Sequence, residues 1–407
     1  MATDASERLR DICREGIELA LQLEKVPSGF DRDRNYLKQK EIVLHELGGS
    51  NKDWENWQWQ VKNSIVATSQ LAAILGLTSA LQQEIDEVTK TYPWKISPYY
   101  AALIDPDDTN CPIRQQAVPD IREIQYKEGE LDPLNETGYS PVPCITRRYP
   151  DRLIINVTNQ CASYCRHCQR RRNIRSELEL FTPKNVERAL DYVRENREIR
   201  DVLLTGGDPL MLPDDNIAWL LERVSKIPHV EIKRIGSRLP VTLPQRITPE
   251  LCKILKKHSP VYLNTQFNHP REVTSATAKA CLGLLRAGVV LGNQSVLLKG
   301  INNDAVIIHK LNHDLLKIGV RPYYLFYKQQ TCGTRHFATS IEEGIAIMEH
   351  LRGHTSGLAI PTFAVNAPGG LGKIPLAPNY WISAGKGYVT LRTWDGCIID
   401  IPDFQEV

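Results

Sequence analysis

The chain has 407 residues, 42% of them hydrophobic and 24% charged, with a formal net charge of +2. That length exceeds one small core and fits two or three folding units, or one large α/β barrel with extensions. The balanced charge, without a block of one sign, gives no reason to expect a nucleic acid or a membrane surface as partner. The N-terminal MATDASERLRDICREG has no apolar secretory region, and no run of about eighteen apolar residues could span a bilayer, so a cytoplasmic location is expected. Thiols stay reduced there. The ten cysteines therefore read as metal ligands plus small buried hydrophobes, the latter being Cys13, Cys111, Cys144, Cys252, Cys281, Cys332 and Cys397.

The first 140 residues read as a helical N-terminal region and connector. Trp54, Trp57 and Trp59 fall within 51–60, where a packed helix face is the plain reading. The stretch 97–137, rich in Pro, Asp and Asn, reads as a long connector. Residues 141–335 then alternate short apolar runs with helical periods. Strands are expected at 153–157, 202–205, 230–236, 261–267, 289–298 and 322–327. Thr182-Pro183 and Thr248-Pro249 each offer an N-cap hydroxyl and a proline at the first helical position. Val186, Ala189, Leu190 and Val193 mark one buried helix face, and Ile217, Leu220, Leu221 and Val224 mark another. Gly288 and Gly319 stand where helices end. Apolar rather than alternating strands predict a parallel sheet covered on both faces, an α/β fold. A partial barrel of six β/α units is the preferred form, with a doubly wound open sheet as the alternative. A helix at 341–352 and a Gly/Pro-rich tail with short strands make up a third segment, 336–407.

Chemistry concentrates just after the first strand. Cys161, Cys165 and Cys168 lie in CASYCRHC with C-x3-C-x2-C spacing. Three thiolates this close can hold three irons of a [4Fe–4S] cluster and leave the fourth open for a small molecule. The rival is a zinc knuckle, but His167, between Cys165 and Cys168, is poorly placed to share their metal. A loop at the carboxyl end of a parallel strand is where such folds bind ligands.

The second strand ends in Gly206-Gly207-Asp208, a turn whose backbone can approach a ligand closely. Beside a three-cysteine loop it suits S-adenosylmethionine held on the open iron. Far downstream, Lys373 follows three glycines in NAPGGLGK, and a flexible loop would let such a lysine react with the aldehyde of pyridoxal phosphate. Most lysines are simply solvated. Arg147, Arg148 and Arg152, in TRRYPDR, could serve the phosphate, with an exposed basic turn as the alternative. The basic run Arg166, Arg170, Arg171, Arg172 and Arg175 has no aromatic interleaving beyond Tyr164. It reads as cations for a carboxylate-bearing cofactor and substrate rather than a nucleic-acid patch.

With these pieces in place the chain resembles the lysine 2,3-aminomutase family of radical S-adenosylmethionine enzymes, which also use pyridoxal phosphate. The likeness covers roughly residues 100 to 400, through YPDR, CASYCRHCQRRR, LLTGGDPL, RIGSR, PQRITPEL, LNTQFNHP, LGNQSVLLKGIN, VRPYY, LRGHTSG and NAPGGLGK. The resemblance implies a partial (βα)6 TIM-like barrel with a helical N-terminal extension and a C-terminal segment that binds pyridoxal phosphate. It implies that Cys161, Cys165 and Cys168 ligate the [4Fe–4S] cluster. Lys373 is then the Schiff-base lysine, Arg148 and Arg152 reach the cofactor phosphate, and Arg170 holds the substrate α-carboxylate. Gly206, Gly207, Asp208, Gln294 and Gln266 lie by S-adenosylmethionine. The implied reaction moves the amino group of an L-α-amino acid from C2 to C3, an isomerisation started by a 5′-deoxyadenosyl radical. A reducing partner such as flavodoxin or ferredoxin and a homo-oligomer are implied as well.

Departures from the family bear on the substrate. Lysine-specific members have aspartates where this chain has Asn366 and, aligned from VRPYY, Gln329; the two carboxylates grip the substrate ammonium. An ammonium facing two neutral amides would lose its charge partners, at a cost of roughly several kcal/mol. Members like glutamate 2,3-aminomutase have the asparagine and a lysine in these places, and here Lys328 stands one position early. An acidic or amide side chain is therefore expected, glutamate first. Gln266 replaces a histidine of lysine enzymes, and glutamine still donates and accepts hydrogen bonds. The ending IPDFQEV, with only Cys397 nearby, predicts no zinc. The alternatives are a lysine 2,3-aminomutase, an aminomutase acting on a protein lysine, and a non-catalytic iron–sulfur redox protein. The long N-terminal region argues against the second, and the third leaves Lys373 without a role.

Overall fold

Nine strands join in one sheet in strict sequence order: β1 (Ile145–Thr146), β2 (Arg152–Thr158), β3 (Asp201–Gly206), β4 (Ile232–Gly236), β5 (Val261–Thr265), β6 (Val289–Leu297), β7 (Arg321–Tyr327), β8 (Thr362–Asn366) and β9 (Lys373–Leu376). The computed structural model describes residues 5–175, 182–385 and 387–403. The Arg175 side chain and positions 404–407 of the closing run therefore lie outside the described residues.

Strands β2 to β8 are parallel, while β1 and β9 pair antiparallel at the two edges. A doubly wound sheet would reverse its strand order at a switch point. This order never reverses, which decides for the barrel. Among the described residues no pairing joins β9 back to β1, so the barrel is open. The sheet also runs through β8 and β9, placing Lys373 on an edge strand of the barrel sheet.

The register explains the apolar strands. Ile155, Leu204, Ile235, Leu263 and Leu291 are successive partners across β2 to β6, and all five are buried. Such a row seals the sheet against its helices. The adjacent row, Ile154, Leu203 and Arg234, alternates to the other face and lines a cavity.

The helices begin and end as their caps dictate. Thr182 accepts from Asn185 N at the start of Pro183–Glu195, and Thr248 from Leu251 N at the start of Pro249–Lys257. The helix Asp214–Ser225 buries Ile217, Leu220, Leu221 and Val224. Gly288 and Gly319 follow Ser275–Arg286 and Ala305–Lys317 with φ of 75° and 72°, the left-handed region that ends a helix.

Three expectations need correction. The stretch 97–137, read as a long connector, is not irregular along its whole length. It forms the short helices Pro98–Ala101, Pro112–Ala117 and Arg122–Gln125, and it buries Tyr99, Tyr100, Gln116 and Glu123. The tryptophans do not share one helix. Asn56 caps a new helix, Trp57–Lys62, after Asn51–Trp54, and only Trp54 is fully buried. Among the single cysteines, Cys111, Cys144 and Cys281 are buried, but Cys13 and Cys397 are exposed.

One hydrophobic core runs from N-terminal residues such as Trp54, Ile65 and Tyr99 into the barrel strands at Ile155 and Leu263. After β9, strands β10 (Trp381–Gly385), β11 (Tyr388–Arg392) and β12 (Ile398–Pro402) form a separate antiparallel sheet. Among the described residues, no helix is long and apolar enough to cross a membrane.

Candidate active site

A cavity of about 330 Å³ opens at the carboxyl ends of the parallel strands. Ligands collect there in parallel α/β folds, and the volume suits a small-molecule site. Of the residues given site roles by the resemblance, all but Arg152 line it: Arg148, Cys161, Cys165, Cys168, Arg170, Gly206, Gly207, Asp208, Gln266, Gln294, Lys328, Gln329, Asn366 and Lys373; Arg147, Arg166, Arg171 and Arg172 do not.

The cysteine loop leaves the end of β2. Cys165 Sγ accepts from Arg238 Nη1 at 2.7 Å, and Cys168 Sγ from the Arg170 backbone N–H at 3.3 Å. Burial pushes the Cys161 thiol well up, helped by Asp208 and the other two sulfurs. Burial and then Cys165 push Cys168 up as well. Three half-buried cysteines whose thiolates would crowd like charge together are stabilised by a cationic metal core. Among the described residues, no further cysteine lines the cavity. This donor set fits a cluster held by three thiolates. His167, inside the loop, lies 3.0 Å by Nε2 from the Gln266 amide nitrogen, and burial keeps it neutral.

The paired glycines serve the neighbouring strand. A Cβ at Gly206 would lie 2.2 Å from Thr158 O, and one at Gly207 would lie 2.4 Å from Gln160 O. Gly207 N donates to Thr158 O at 2.6 Å and Asp208 N to Gln160 O at 2.7 Å. The close approach is thus to the root of the cysteine loop. Asp208 turns its oxygens to backbone N–H groups of Leu210 (3.1 Å) and Arg238 (2.7 Å), tying the end of β3 to the end of β4. Burial lifts its carboxyl to about 6.

Lys373 is not on a free loop. It begins β9 and is the register partner of Asn366 on β8. The glycine turn between them is held by Ala367 N to Gly372 O (2.8 Å) and Gly369 N to Pro133 O (3.0 Å). The glycines supply positive φ at 369, 370 and 372 rather than mobility. Lys373 N donates to the Tyr149 hydroxyl at 3.0 Å, and Nζ sits over the rings of Tyr324 (4.6 Å) and Phe326 (5.1 Å). The residue keeps access to solvent at the cavity mouth. Burial of its amine, then Arg234, Arg152 and Arg148, lowers its pKa to about 8. A reachable amine of lowered pKa among three guanidinium groups is what an aldehyde carrying a phosphate requires. Arg148 lines the cavity half-buried and makes no ion pair among the described residues. Arg152 lies just outside, stacked 3.8 Å over Tyr149 and paired with Asp151 at 3.1 Å.

The basic run is mostly neutralised from within. Arg166 forks onto the buried Glu123 (2.9 and 2.6 Å), and Arg171 shares that carboxylate. Arg170 meets Glu136 through Nε (3.0 Å) and Nη2 (2.7 Å), and Arg172 joins at 3.1 Å. Arg166, Arg171 and Arg172 are thus met by carboxylates of the chain itself, whereas Arg170, though paired with Glu136, lines the cavity. At the far wall, Lys328 Nζ donates to Gln329 O at 2.6 Å, and Gln329 Nε2 reaches Asn366 O at 3.3 Å. Lys328 is 3% exposed.

Sequence reasoning missed Glu136, Arg234, Arg238 and Tyr149. One signal was available: Arg234 is a charge inside a buried parallel strand, and such a charge faces a partner or a ligand.

The comparisons agree with this geometry. A family model described as Lysine-2,3-aminomutase matches residues 348–407, and that of the Radical SAM superfamily matches 155–291. The glutamate 2,3-aminomutase of Clostridioides difficile (strain 630) is 51% identical over 375 residues, covering 92% of this chain and 89% of that one. The L-lysine 2,3-aminomutase of Clostridium subterminale is 47% identical over 350 residues, 86% and 84% of the two chains. That of Bacillus subtilis (strain 168) is 47% identical over 366 residues, 89% and 77%. The cofactors are a [4Fe–4S] cluster, S-adenosylmethionine and pyridoxal phosphate. A three-thiol loop and a lysine among arginines on one open barrel, with relatives 47–51% identical over most of their length, make the chain a member of the lysine 2,3-aminomutase family of radical S-adenosylmethionine isomerases.

Proposed function

We propose that this protein is a glutamate 2,3-aminomutase, converting L-glutamate to its β-amino acid. The observation that carries this reading is Lys328. Its ammonium is buried in the cavity wall, its hydrogen bond goes to a backbone carbonyl, and among the described residues no carboxylate pairs with it. A buried cation without an anion is costly, and a substrate γ-carboxylate relieves that cost. Asn366 and Gln329 add amides that can donate to the same oxygens. A substrate ammonium would instead meet a like charge.

When bound, the cluster and S-adenosylmethionine supply a hydrogen-abstracting radical, and pyridoxal phosphate supplies the carbonyl that carries the migrating amino group. Cys161, Cys165 and Cys168 would hold the cluster. Lys373 would hold pyridoxal phosphate, with Arg148, Arg152 and Arg234 around its phosphate. Gln294, Gln266 and the Gly206–Asp208 turn border the space for S-adenosylmethionine. Arg170 and Lys328 would fix the two ends of the substrate and present its C2 and C3 to the radical, where a small misplacement costs much of the rate. The reading includes a one-electron donor such as flavodoxin or ferredoxin, a cytoplasmic location and self-association as a homo-oligomer.

The test is an anaerobic assay of the reconstituted enzyme against a panel of α-amino acids, scoring β-amino acid formation. Glutamate turnover is expected, and turnover of lysine with none of glutamate overturns the reading. Lys328→Met should lower kcat/KM for glutamate about a hundredfold, the loss of one buried charge pair of about 3 kcal/mol. Burial, then Arg171, lowers the Lys328 pKa to about 8. The cation is present below that pH, so KM for glutamate should rise as the pH passes above about 8. Lys328→Arg should push that rise to higher pH.

A further inference from the structure

Behind the cysteine loop lies a buried network that the reaction leaves without a task. Arg238, at the end of β4, is its centre. Its Nη1 donates to Cys165 Sγ at 2.7 Å and its Nε to Gln266 O at 3.0 Å. Its Nη2 meets Glu272 Oε1 (2.7 Å), Gln116 Oε1 (2.6 Å) and the Tyr100 hydroxyl (3.2 Å). Glu272 is fully buried, and its other oxygen takes the backbone N–H groups of Asn268 (2.5 Å) and His269 (3.0 Å). Every guanidinium nitrogen is thus engaged, and the group cannot swing away from the sulfur.

The three thiols differ in their surroundings. Cys168 receives a backbone N–H, and Cys161 feels Asp208 and Lys95. Of the three, Cys165 receives a charged donor. A hydrogen bond from a cation to a cluster thiolate stabilises the state that carries one more electron.

We propose that Arg238 is a positioning residue for electron transfer: through Cys165 it raises the cluster's reduction potential, so that the oxidised cluster accepts one electron from a low-potential donor. Glu272, Gln116 and Tyr100 hold the guanidinium at its distance, and Glu272 limits the field it exerts. Gln116 and Tyr100 come from the stretch 97–137, so the N-terminal region takes part in tuning the cluster. This inference rests on the assignment of the cluster to Cys161, Cys165 and Cys168.

The test is an EPR-monitored dithionite titration of the full-length, anaerobically reconstituted chain, with iron content measured in parallel. At the potential where the parent cluster is half reduced, Arg238→Gln should be less than about one tenth reduced, and Arg238→Lys should fall between. Because Arg238→Gln strands a buried carboxylate, the neutral pair Arg238→Gln/Glu272→Gln is titrated as well and should shift in the same direction. An unchanged midpoint in Arg238→Lys and in the double variant, at full iron content, overturns the role of Arg238 alone. If the parent chain assembles no cluster, or if Cys165→Ala retains one, the site assignment falls, and Arg238's role with it.

Discussion

Arg170 reaches the cavity with two of its nitrogens already engaged. Glu136, 5% exposed, takes Nε and Nη2, and the pairing with Arg170 and then Arg172 holds its carboxyl at about 2 despite burial. An arginine clamped on one edge presents its remaining nitrogen in a fixed direction, which lowers the ordering cost of binding a carboxylate. Glu136→Gln keeps the volume and loses the charge. It should raise KM for glutamate about tenfold and change kcat less, read from steady-state kinetics. Equal KM values would show that Arg170 needs no such clamp. Cysteine spacing and the glycine-flanked lysine were legible because covalent and metal chemistry demand particular residue types at short range. Glu136 lies 34 positions from Arg170, and Arg238 lies 73 from Cys165. No local pattern records such pairs, so they emerged only from the fold.

The elements that were legible are those long enough to show a period. Pro183–Glu195 and Asp214–Ser225 bury the stripes their sequences display. The four-residue helices of the 97–137 stretch are shorter than any reliable period, and the Pro, Asp and Asn content of the stretch read as a long connector. Yet that stretch carries Glu123, Gln116 and Tyr100, which brace the cluster loop. The turn after β3 also had a second meaning, since its glycines admit a neighbouring backbone. Gly207→Ala puts a methyl 2.4 Å from Gln160 O. Backbone must move to relieve that overlap, costing about 1–3 kcal/mol, and what moves is the root of the cysteine loop. The expected result is a lower unfolding temperature together with less iron per chain. A variant with full iron content would show that the loop does not depend on this contact.

For the molecule as a whole, one core joins the N-terminal helices to the barrel, so acid should unfold both together. His309, 1% exposed on Ala305–Lys317, has its ring centroid 4.7 Å from that of His313 and 6.3 Å from that of His350. Burial, then His313, His350 and His354, lowers its pKa from 6.5 to about 4. Burial first lowers His336 to about 4 and His269 to about 3. Between pH 6.5 and 4 the unfolded chain binds protons that the folded chain refuses. Stability is therefore fully present above 6.5 and falls as the pH drops through that window. Denaturant midpoints should follow this course, and His309→Gln should flatten it. A midpoint independent of pH from 7 to 5 would contradict the assignment.

The pairing of Asn366 with Lys373 across the β8–β9 hairpin sets a fixed ruler in the site. In the proposed function, one partner reads the substrate's side chain and the other anchors the cofactor that reacts at its backbone end. Because the turn between them is stitched shut, the distance from recognition to reaction is set by strand pairing rather than by a loop. On that reading, a change of amino acid is made by exchanging side chains on this frame, at positions such as Asn366, Gln329 and Lys328. A shorter or longer turn would shift Lys373 out of register with the arginines around it.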